Sequence, residues 1–406
     1  MEVFRRLSLA TETTIKSDTS TFLIVETGAL YACGNNSSGQ LGLGDTSRRS
    51  TLTRVPLEES VKTVVTNGEC AYVITRSGAL YACGYNGYGQ LGLGDNESRS
   101  TLTRVPSEES VKMVTIGNSS IYVVTTSGIL YSCGFNGLGQ LGLRDSQNRS
   151  TLQRVLLTER VNTVVTDRDS TYVLAVSGAL YACGYNTFGQ LGLGDNSYHS
   201  TLRRVPLEES VKTVVTVNES TFVLTINGAL YACGDNAFGH FGLGDTRDRL
   251  MLTRVPLEER VKTVVTSDYS TYVLTVNGAL YACGDNRYGQ LGLGDNQRRS
   301  TMRKVPLEES VKTMVGNGCM YILTVNGALY ACGNNENGQL GLGDDSDRST
   351  LTKVPVEEVE TIVADCCSSF IVAVSGTVYT CGRNNFGQLG LGDQEKRSVF
   401  TPVSKL

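Results

Sequence analysis

The chain has 406 residues, of which 40% are hydrophobic and 19% charged, and its formal net charge is −4. This acidic balance disfavours broad binding to nucleic-acid phosphates or to anionic membrane. No apolar run approaches the roughly 20 residues of a membrane-spanning helix, and the start of the chain lacks the apolar stretch of a secretory signal. We therefore expect an intracellular protein, cytoplasmic or nuclear, that binds neither nucleic acid nor membrane directly.

A single pattern recurs along the whole chain. Gly-x-x-Tyr-x-Cys-Gly occurs eight times at intervals of 49 or 50 residues, beginning at Gly28, Gly78, Gly128, Gly178, Gly228, Gly278, Gly327 and Gly376. A fixed period of this length is typical of a repeat architecture, in which each copy builds one structural unit. Since neither a linker nor a shift in composition separates the copies, we predict a single domain over residues 1–406.

Each copy predicts four strands, named A to D and taken here in chain order from the sixth copy. Residues 261–266, VKTVVT, are short, β-branched and apolar, as expected of a buried inner strand A. Residues 270–276 and 279–284 are the next two β-rich runs, and the Asn-Gly pair between them predicts a two-residue hairpin turn. A glycine-rich loop then leads to strand D at residues 300–306. The four strands predict one antiparallel sheet per copy.

The repeat favours a closed ring over an open stack. Four strands in about 50 residues, repeated radially, are typical of a β-propeller blade. An open solenoid, the alternative, needs atypical polar caps at its ends, but the first and last copies carry the ordinary repeat residues. We therefore predict an all-β fold, a closed β-propeller of four-stranded antiparallel blades.

The loop after strand C carries a longer motif. Gly-x-Asn-x-x-Gly-Gln-Leu-Gly-Leu-Gly-Asp resembles the repeat of the regulator of chromosome condensation family, over nearly the whole chain. The resemblance implies a propeller, usually of seven blades. Because this chain has eight complete copies, we predict eight blades, with seven as the alternative. Residues 2–6 and 398–403 both align with a strand D, and only one of these segments can complete the last blade.

The resemblance also implies a protein partner, and most specifically nucleotide exchange on a Ran-type small GTPase. Family repeats resemble Gly-x-x-His before strand B, with the histidines on the face that meets the GTPase. The matching positions here carry no histidine: Ser20, Cys70, Ser120, Ser170, Ser220, Ser270, Cys319 and Ser368. The exchange factor also inserts a β-hairpin wedge, for which the regular spacing leaves no room. We therefore predict a non-catalytic protein-interaction scaffold. The alternative is a guanine-nucleotide exchange factor or regulator of a Ran-type GTPase.

The residue types needed for catalysis or for a cofactor do not converge. The two histidines, His199 and His240, lack metal-ligand spacing, and no Ser-His-Asp or Cys-His constellation recurs. The motif GQLGLGD leads into a strand rather than a helix, so its glycines are interpreted as shaping turns and not as holding a phosphate. We expect no enzyme activity, no cofactor and no metal. The eight repeat cysteines are interpreted as reduced, small core residues.

Two sets of residues are candidates for contact with a partner, one at each face of the ring. The turns from strand D to the next strand A carry paired glutamates that predict an acidic ring, the preferred site for a basic protein surface: Glu58, Glu59, Glu108, Glu109, Glu208, Glu209, Glu258 and Glu259. The loops before strand B and after strand C vary between copies, as a specific partner surface would: Asp167, Arg168, Asp169 and Tyr269, with His240 and Phe241 in the most divergent copy.

Three further predictions concern single sites and the assembly. The aspartate that ends the glycine-rich motif and the arginine four residues on, as in Asp95 and Arg99, are predicted to tie the loop together. The last residues, Ser404, Lys405 and Leu406, match a peroxisomal address, which gives the peroxisome as the alternative location. We expect a monomer.

Overall fold

The computed structural model describes residues 13–16, 20–25, 27–316, 318–364 and 367–403. In these ranges the chain forms 32 β-strands, which make up eight four-stranded sheets. Consecutive strands within a sheet pair antiparallel. The predictions of an all-β fold and of eight blades are therefore confirmed, and the seven-blade alternative is wrong.

The strands follow the chain four to a blade. Blade one consists of β1 (Thr13–Lys16), β2 (Ser20–Ile24), β3 (Leu30–Gly34) and β4 (Arg49–Arg54). Blades two to four consist of β5 (Val61–Thr66), β6 (Cys70–Thr75), β7 (Leu80–Gly84), β8 (Arg99–Arg104), β9 (Val111–Ile116), β10 (Ser120–Thr125), β11 (Leu130–Gly134), β12 (Arg149–Arg154), β13 (Val161–Asp167), β14 (Ser170–Ala175), β15 (Leu180–Gly184) and β16 (His199–Arg204). Blades five and six consist of β17 (Val211–Val217), β18 (Ser220–Thr225), β19 (Leu230–Gly234), β20 (Arg249–Arg254), β21 (Val261–Ser267), β22 (Ser270–Thr275), β23 (Leu280–Gly284) and β24 (Arg299–Lys304). Blades seven and eight consist of β25 (Val311–Gly316), β26 (Cys319–Thr324), β27 (Leu329–Gly333), β28 (Arg348–Lys353), β29 (Val359–Ala364), β30 (Ser368–Ala373), β31 (Val378–Gly382) and β32 (Arg397–Pro402).

Strand A lies innermost in each blade and strand D outermost. Sheet order follows chain order, which leaves A and D as the two edges. The A strands of neighbouring blades contact one another, as β13 does β17, and so surround the axis of the ring. Strand B is buried along its whole length in β6, as expected of a strand between A and C that packs against blades on both sides.

The connections divide into two faces. The turns from D to A and from B to C lie on one face, here called the turn face, and the A-to-B and C-to-D loops lie on the other, the loop face. The B-to-C turn differs from the predicted two-residue turn, because Gly278 has a positive φ of 86° but Asn277 does not. The Gly278 N–H donates to the Thr275 carbonyl oxygen (3.1 Å), and the Thr275 N–H donates to the Ala279 carbonyl oxygen (2.9 Å). A three-residue loop closed by a left-handed glycine results.

Contacts between blades eight and one close the ring. Strand β32 pairs with β31, so the C-terminal segment completes blade eight; residues 2–6 lie outside the described residues, as do Ser404, Lys405 and Leu406. Thr21 Oγ1 donates to the Gln388 carbonyl oxygen at 3.4 Å, and the Arg48 guanidinium lies 5.0 Å from the centre of the Phe386 ring. Both contacts join the two ends of the repeat.

Candidate functional site

Each loop after strand C is fixed by a buried asparagine and by an aspartate that pairs with an arginine, or with a histidine in blade four. In blade two the Asn86 amide donates to the Asp95 carbonyl oxygen (3.0 Å), and its side-chain oxygen accepts from the Leu91 N–H (2.9 Å). Asp95 pairs with Arg99 at 2.6 Å, which confirms the predicted tie. The Glu97 N–H and the Arg99 guanidinium lower the pKa of Asp95. Equivalent pairs recur in the other blades: Asp45–Arg49, Asp145–Arg149, Asp195–His199, Asp245–Arg249, Asp295–Arg299, Asp344–Arg348 and Asp393–Arg397.

The repeat cysteine joins this loop to the next blade, a role that sequence reasoning missed. The Cys83 thiol donates to the Gln40 carbonyl oxygen of the preceding blade at 3.4 Å. The same bond joins six further pairs: Cys133–Gln90, Cys183–Gln140, Cys233–Gln190, Cys283–His240, Cys332–Gln290 and Cys381–Gln339. Burial raises the pKa of the Cys83 thiol, so the thiol keeps its proton. The eight repeat cysteines are buried and none forms a disulfide among the described residues, as predicted. Only their regular spacing in the sequence, 42 or 43 residues after the glutamine or its histidine replacement, could have signalled the bond.

On the loop face, the carboxyl groups of Asp167, Glu219 and Asp235 in blades four and five lie close enough to influence one another, and Asp169 follows in the same turn as Asp167. These four residues are here called the carboxylate cluster. The A-to-B turns are tight, with positive φ at Arg168 (50°) and Glu219 (61°). Across the two blades, the Glu219 N–H donates to Asp167 Oδ2 (2.8 Å) and Arg168 Nη1 lies 2.5 Å from Glu219 Oε1. Asp169 Oδ1 accepts from the Gln140 amide of blade three at 2.8 Å. The cluster is therefore held by contacts between blades.

Burial raises the pKa of all four carboxyl groups of the cluster. At Glu219, the Arg168 guanidinium opposes the effect of burial, while the Asp167 and Asp235 carboxylates add to it. Negative charge is thus concentrated where water screens it poorly. A cation brought to this surface would stabilise the charged carboxylates.

Aromatic and guanidinium groups border the cluster in blades five and six. The Phe238 and Tyr269 rings stack with centroids 4.1 Å apart, and the Arg298 guanidinium lies 4.6 Å from the centre of the Phe238 ring. Asp285 is buried and pairs with Arg287 (2.8 Å) and Arg298 (3.2 Å). Aromatic residues and arginine are the side chains enriched where proteins meet.

The structure places the predicted loop residues in two environments. Asp167, Arg168 and Asp169 lie in the cluster, and Tyr269 lies beside it. Burial raises the pKa of Tyr269, and the nearby carboxylates of Asp235 and Glu219 raise it further. His240 and Phe241 are completely buried. The prediction that these two contact a partner is therefore corrected: they replace the glutamine and leucine of the other copies and pack inside the blade.

His240 has an incomplete set of hydrogen bonds. Its Nε2 lies 2.7 Å from Ser220 Oγ, which in turn donates to the Asp235 carbonyl oxygen. Its Nδ1 is buried and has no hydrogen-bond partner among the described residues. Burial lowers the pKa of His240 to about 4. The ring is therefore neutral at physiological pH.

The paired glutamates lie on the turn face, and the two members of each pair differ. The first, Glu58, Glu108, Glu208 and Glu258, are exposed. The second bond to the hairpin of the next blade: Glu59 accepts from Ser77 Oγ (2.7 Å) and Tyr81 Oη (2.6 Å). Tyrosine or serine makes the same bond to Glu109, Glu209 and Glu259. The hydroxyls of Tyr81 and Ser77 lower the pKa of Glu59. Half of the predicted acidic ring thus has a structural role, and its binding role stays a prediction.

Within the described ranges, no helix is long and apolar enough to cross a bilayer. The same residues contain no group of three or more histidine, cysteine, aspartate or glutamate side chains that could hold a metal ion.

The sequence matches two family models. The model of the RCC1-like domain matches residues 146–406, and that of the regulator of chromosome condensation (RCC1) repeat matches residues 27–67 and 77–124. Together they cover most of the copies counted in the sequence. No curated protein sequence matches the chain.

Solved structures of the same fold include human and yeast proteins. Human WBSCR16 is 19% identical with a TM-score of 0.65, over 83% of this chain and 96% of that one. Yeast RCC1 (Prp20), solved bound to Kap60, is 19% identical with a TM-score of 0.62, over 80% and 83% of the two chains. Prp20p from Saccharomyces cerevisiae, described with its binding to Gsp1p and histones, is 20% identical with a TM-score of 0.61, over 80% and 85%. At this identity the likeness concerns the fold.

Proposed function

The chain belongs to the RCC1-like domain family, and we propose that it is a non-catalytic protein-interaction scaffold whose loop face binds a basic segment of a partner protein. The closed ring supplies a rigid frame, because the loops are tied internally by pairs such as Asp95–Arg99, and seven of them are tied to the next blade by a cysteine such as Cys83. A rigid frame that displays variable loops is suited to binding one partner specifically.

The carboxylate cluster is the observation that carries this proposal. Asp167, Asp169, Glu219 and Asp235 are half-buried, and burial raises their pKa. Arg168 pairs with Glu219 but leaves the four carboxyl groups in excess. Lysine or arginine side chains of a partner would supply further countercharge, and the neighbouring Phe238–Tyr269 stack would supply apolar contact area.

Binding of a labelled arginine- and lysine-rich peptide, followed by fluorescence anisotropy, tests the proposal. The variant D167N/D169N/E219Q/D235N should bind at least about tenfold more weakly than the native chain, because buried charge partners contribute strongly to affinity. The control E58Q/E108Q/E208Q/E258Q removes the same charge from the turn face and should bind like the native chain. If only the control variant binds the peptide more weakly, the binding site lies at the glutamate ring and not at the carboxylate cluster. Equal loss in both would indicate unspecific attraction and contradict the proposal.

The raised pKa values give binding a pH dependence. A basic partner stabilises the ionised carboxylates, so binding lowers their pKa and releases protons. Affinity for the same peptide should therefore fall as pH falls through the raised pKa values of the cluster. Affinity that stays constant, or rises, over this range in titrations at fixed ionic strength would show that these carboxylates are not the site.

Regulation of a small GTPase is the alternative function. It is supported by the family and by the binding of Gsp1p described for yeast Prp20p. Against it, the positions that match the family histidines hold buried side chains: Ser20, Cys70, Ser120, Ser170, Ser220, Ser270, Cys319 and Ser368. A fluorescent-nucleotide release assay on a panel of GTPases decides between the two. Faster release in the presence of the chain would favour the alternative.

A further inference from the structure

Strand A carries the same irregularity in seven blades. In blade two, Val61 pairs with Thr75 and Thr63 with Ile74, which leaves Lys62 as an extra residue without a partner. The register shifts at the same point in blades three to eight. Such a bulge redirects the side chain of the extra residue. The seven bulge residues are all exposed: Lys62, Lys112, Asn162, Lys212, Lys262, Lys312 and Glu360.

The bulges place five lysines around the turn-face mouth of the central channel, here called the lysine rim. Strand A surrounds the axis, and its second residue lies at the end that follows the D-to-A turn. Three ammonium groups reach the backbone of the next bulge residue: Lys112 to Asn162 O (3.3 Å), Lys212 to Lys262 O (3.1 Å) and Lys312 to Glu360 O (2.8 Å). The lysines therefore follow the rim from blade to blade.

The rim carries a net positive charge, because its five lysines outnumber the one carboxylate at a bulge position, Glu360 of blade eight, whose backbone Lys312 contacts. Among the described residues, the one lysine that forms an ion pair is Lys396, which pairs with Asp345, and neither residue lies in a strand A. Further out on the same face, arginines attract the second glutamates, as Arg104 does Glu59 and Arg254 does Glu209. Like charges held on adjacent blades repel one another unless an anion is present.

We propose that the lysine rim binds a compact polyphosphate, a small molecule with several phosphate groups, at the turn-face mouth of the channel. The lysines of blades five, six and seven are consecutive, so one ligand with several anionic groups can contact all three. Lysine binds phosphate as a point charge and needs no planar partner. The exposed glutamates Glu58, Glu108, Glu208 and Glu258 lie outside the rim and would repel an extended polyanion. The site is separate from the carboxylate cluster on the loop face.

Isothermal titration calorimetry with inositol hexakisphosphate as the probe tests this site in the full chain. We expect saturable binding, weakened at least about tenfold in K212Q/K262Q/K312Q, since each lost charge pair contributes roughly as much as a contact ion pair in water. The control R204Q/K304Q/K353Q removes the same charge from the exposed outer ends of strand D on the same face, and should bind like the native chain.

A gain-of-charge variant keeps the test independent of any loss of folding. N162K/E360K would complete the arc of lysines, and it should bind the probe more tightly than the native chain. Absence of saturable binding to the native chain, or equal weakening in both glutamine variants, would overturn the proposal. Tighter binding of an aspartate- and glutamate-rich peptide than of the hexakisphosphate would overturn the assignment to phosphate.

Discussion

At the level of single residues, His240 shows what the repeat glutamine does. In blade four the Gln190 side-chain oxygen accepts from the Phe188 N–H (3.1 Å), and its amide donates to Ser170 Oγ (3.3 Å). His240 keeps the contact with the equivalent serine, but its Nδ1 stays unpaired among the described residues. An unpaired buried polar atom costs about 1–3 kcal/mol. The glutamine is thus a bridge between the loop and strand B.

The substitution H240Q should raise the free energy of unfolding by about 1 kcal/mol at pH 7, because the glutamine restores both hydrogen bonds. Urea unfolding measures the difference. As a control, H199Q alters the other buried histidine, whose Nε2 already bonds to Asp195, and should not stabilise. A lower stability of H240Q would contradict the account.

Because of His240, the free energy of unfolding of the native chain should also decrease as the pH falls. The unfolded chain takes up a proton near pH 6.5, whereas the pKa of His240 in the folded chain is about 4. Between these values the unfolded state binds more protons, so stability falls as pH falls, by up to about 3 kcal/mol. The advantage of H240Q should therefore grow from pH 7 to pH 4 in urea titrations. An advantage that does not change with pH would contradict the lowered pKa.

The repeat cysteine gives a second test at this scale. C233A removes the thiol that donates to the Gln190 carbonyl oxygen (3.2 Å) and leaves a small cavity. It should cost about 1–3 kcal/mol in urea unfolding. C367A, at a half-buried cysteine outside the repeat position, is the matched control with a smaller expected cost. Equal costs would show that the bond between blades contributes little.

At the level of elements, the D-to-A turn is attached to the following hairpin by one glutamate of each pair. Replacing Glu59, which accepts from Ser77 and Tyr81, should destabilise the chain, whereas replacing the exposed Glu58 should not. The pKa of Glu59 is lowered by these hydroxyls, so its contribution is present above the ordinary glutamate pKa and is lost as pH falls through the lowered value. Thermal unfolding of E59Q and E58Q at pH 7 and pH 3 measures this. Equal midpoints at pH 7 would contradict it.

The strands could be predicted from the sequence, while the contacts between blades could not. β-Branched runs and turn residues indicate strands such as β21 because these signals are local. The bond between Cys83 and Gln40, and the approach of Asp167 to Glu219, join residues about one copy apart that become neighbours only when blades pack side by side. The burial of Phe241 depends on the same packing, so the sequence of this divergent copy predicts a surface position that the structure does not have.

At the level of the whole molecule, the junction between blades eight and one differs from the other junctions. A Cβ on Gly92 would lie 3.3 Å from Cys133 Sγ, whereas a Cβ on the equivalent Gly390 would meet nothing within 4 Å among the described residues. At this glycine, and among the described residues, the loop of blade eight therefore packs less closely on blade one than the equivalent glycines of the other loops pack on their neighbours.

Two alanine substitutions compare these junctions directly. Gly92 and Gly390 have nearly the same positive φ, 72° and 70°, so G92A and G390A carry the same backbone strain of about 1–2 kcal/mol. G92A should cost about 1–3 kcal/mol more, because its methyl group meets the neighbouring blade. Urea unfolding of the two variants measures the difference. A greater cost for G390A would contradict the loose junction.

A crystal structure of the chain with the arginine- and lysine-rich peptide bound tests the central claim most directly. We predict eight blades in a closed ring, with basic side chains of the peptide paired to Asp167, Asp169 or Glu219 on the loop face. A peptide seated on the glutamates of the turn face, or an open arrangement in which blade eight does not touch blade one, would contradict the account.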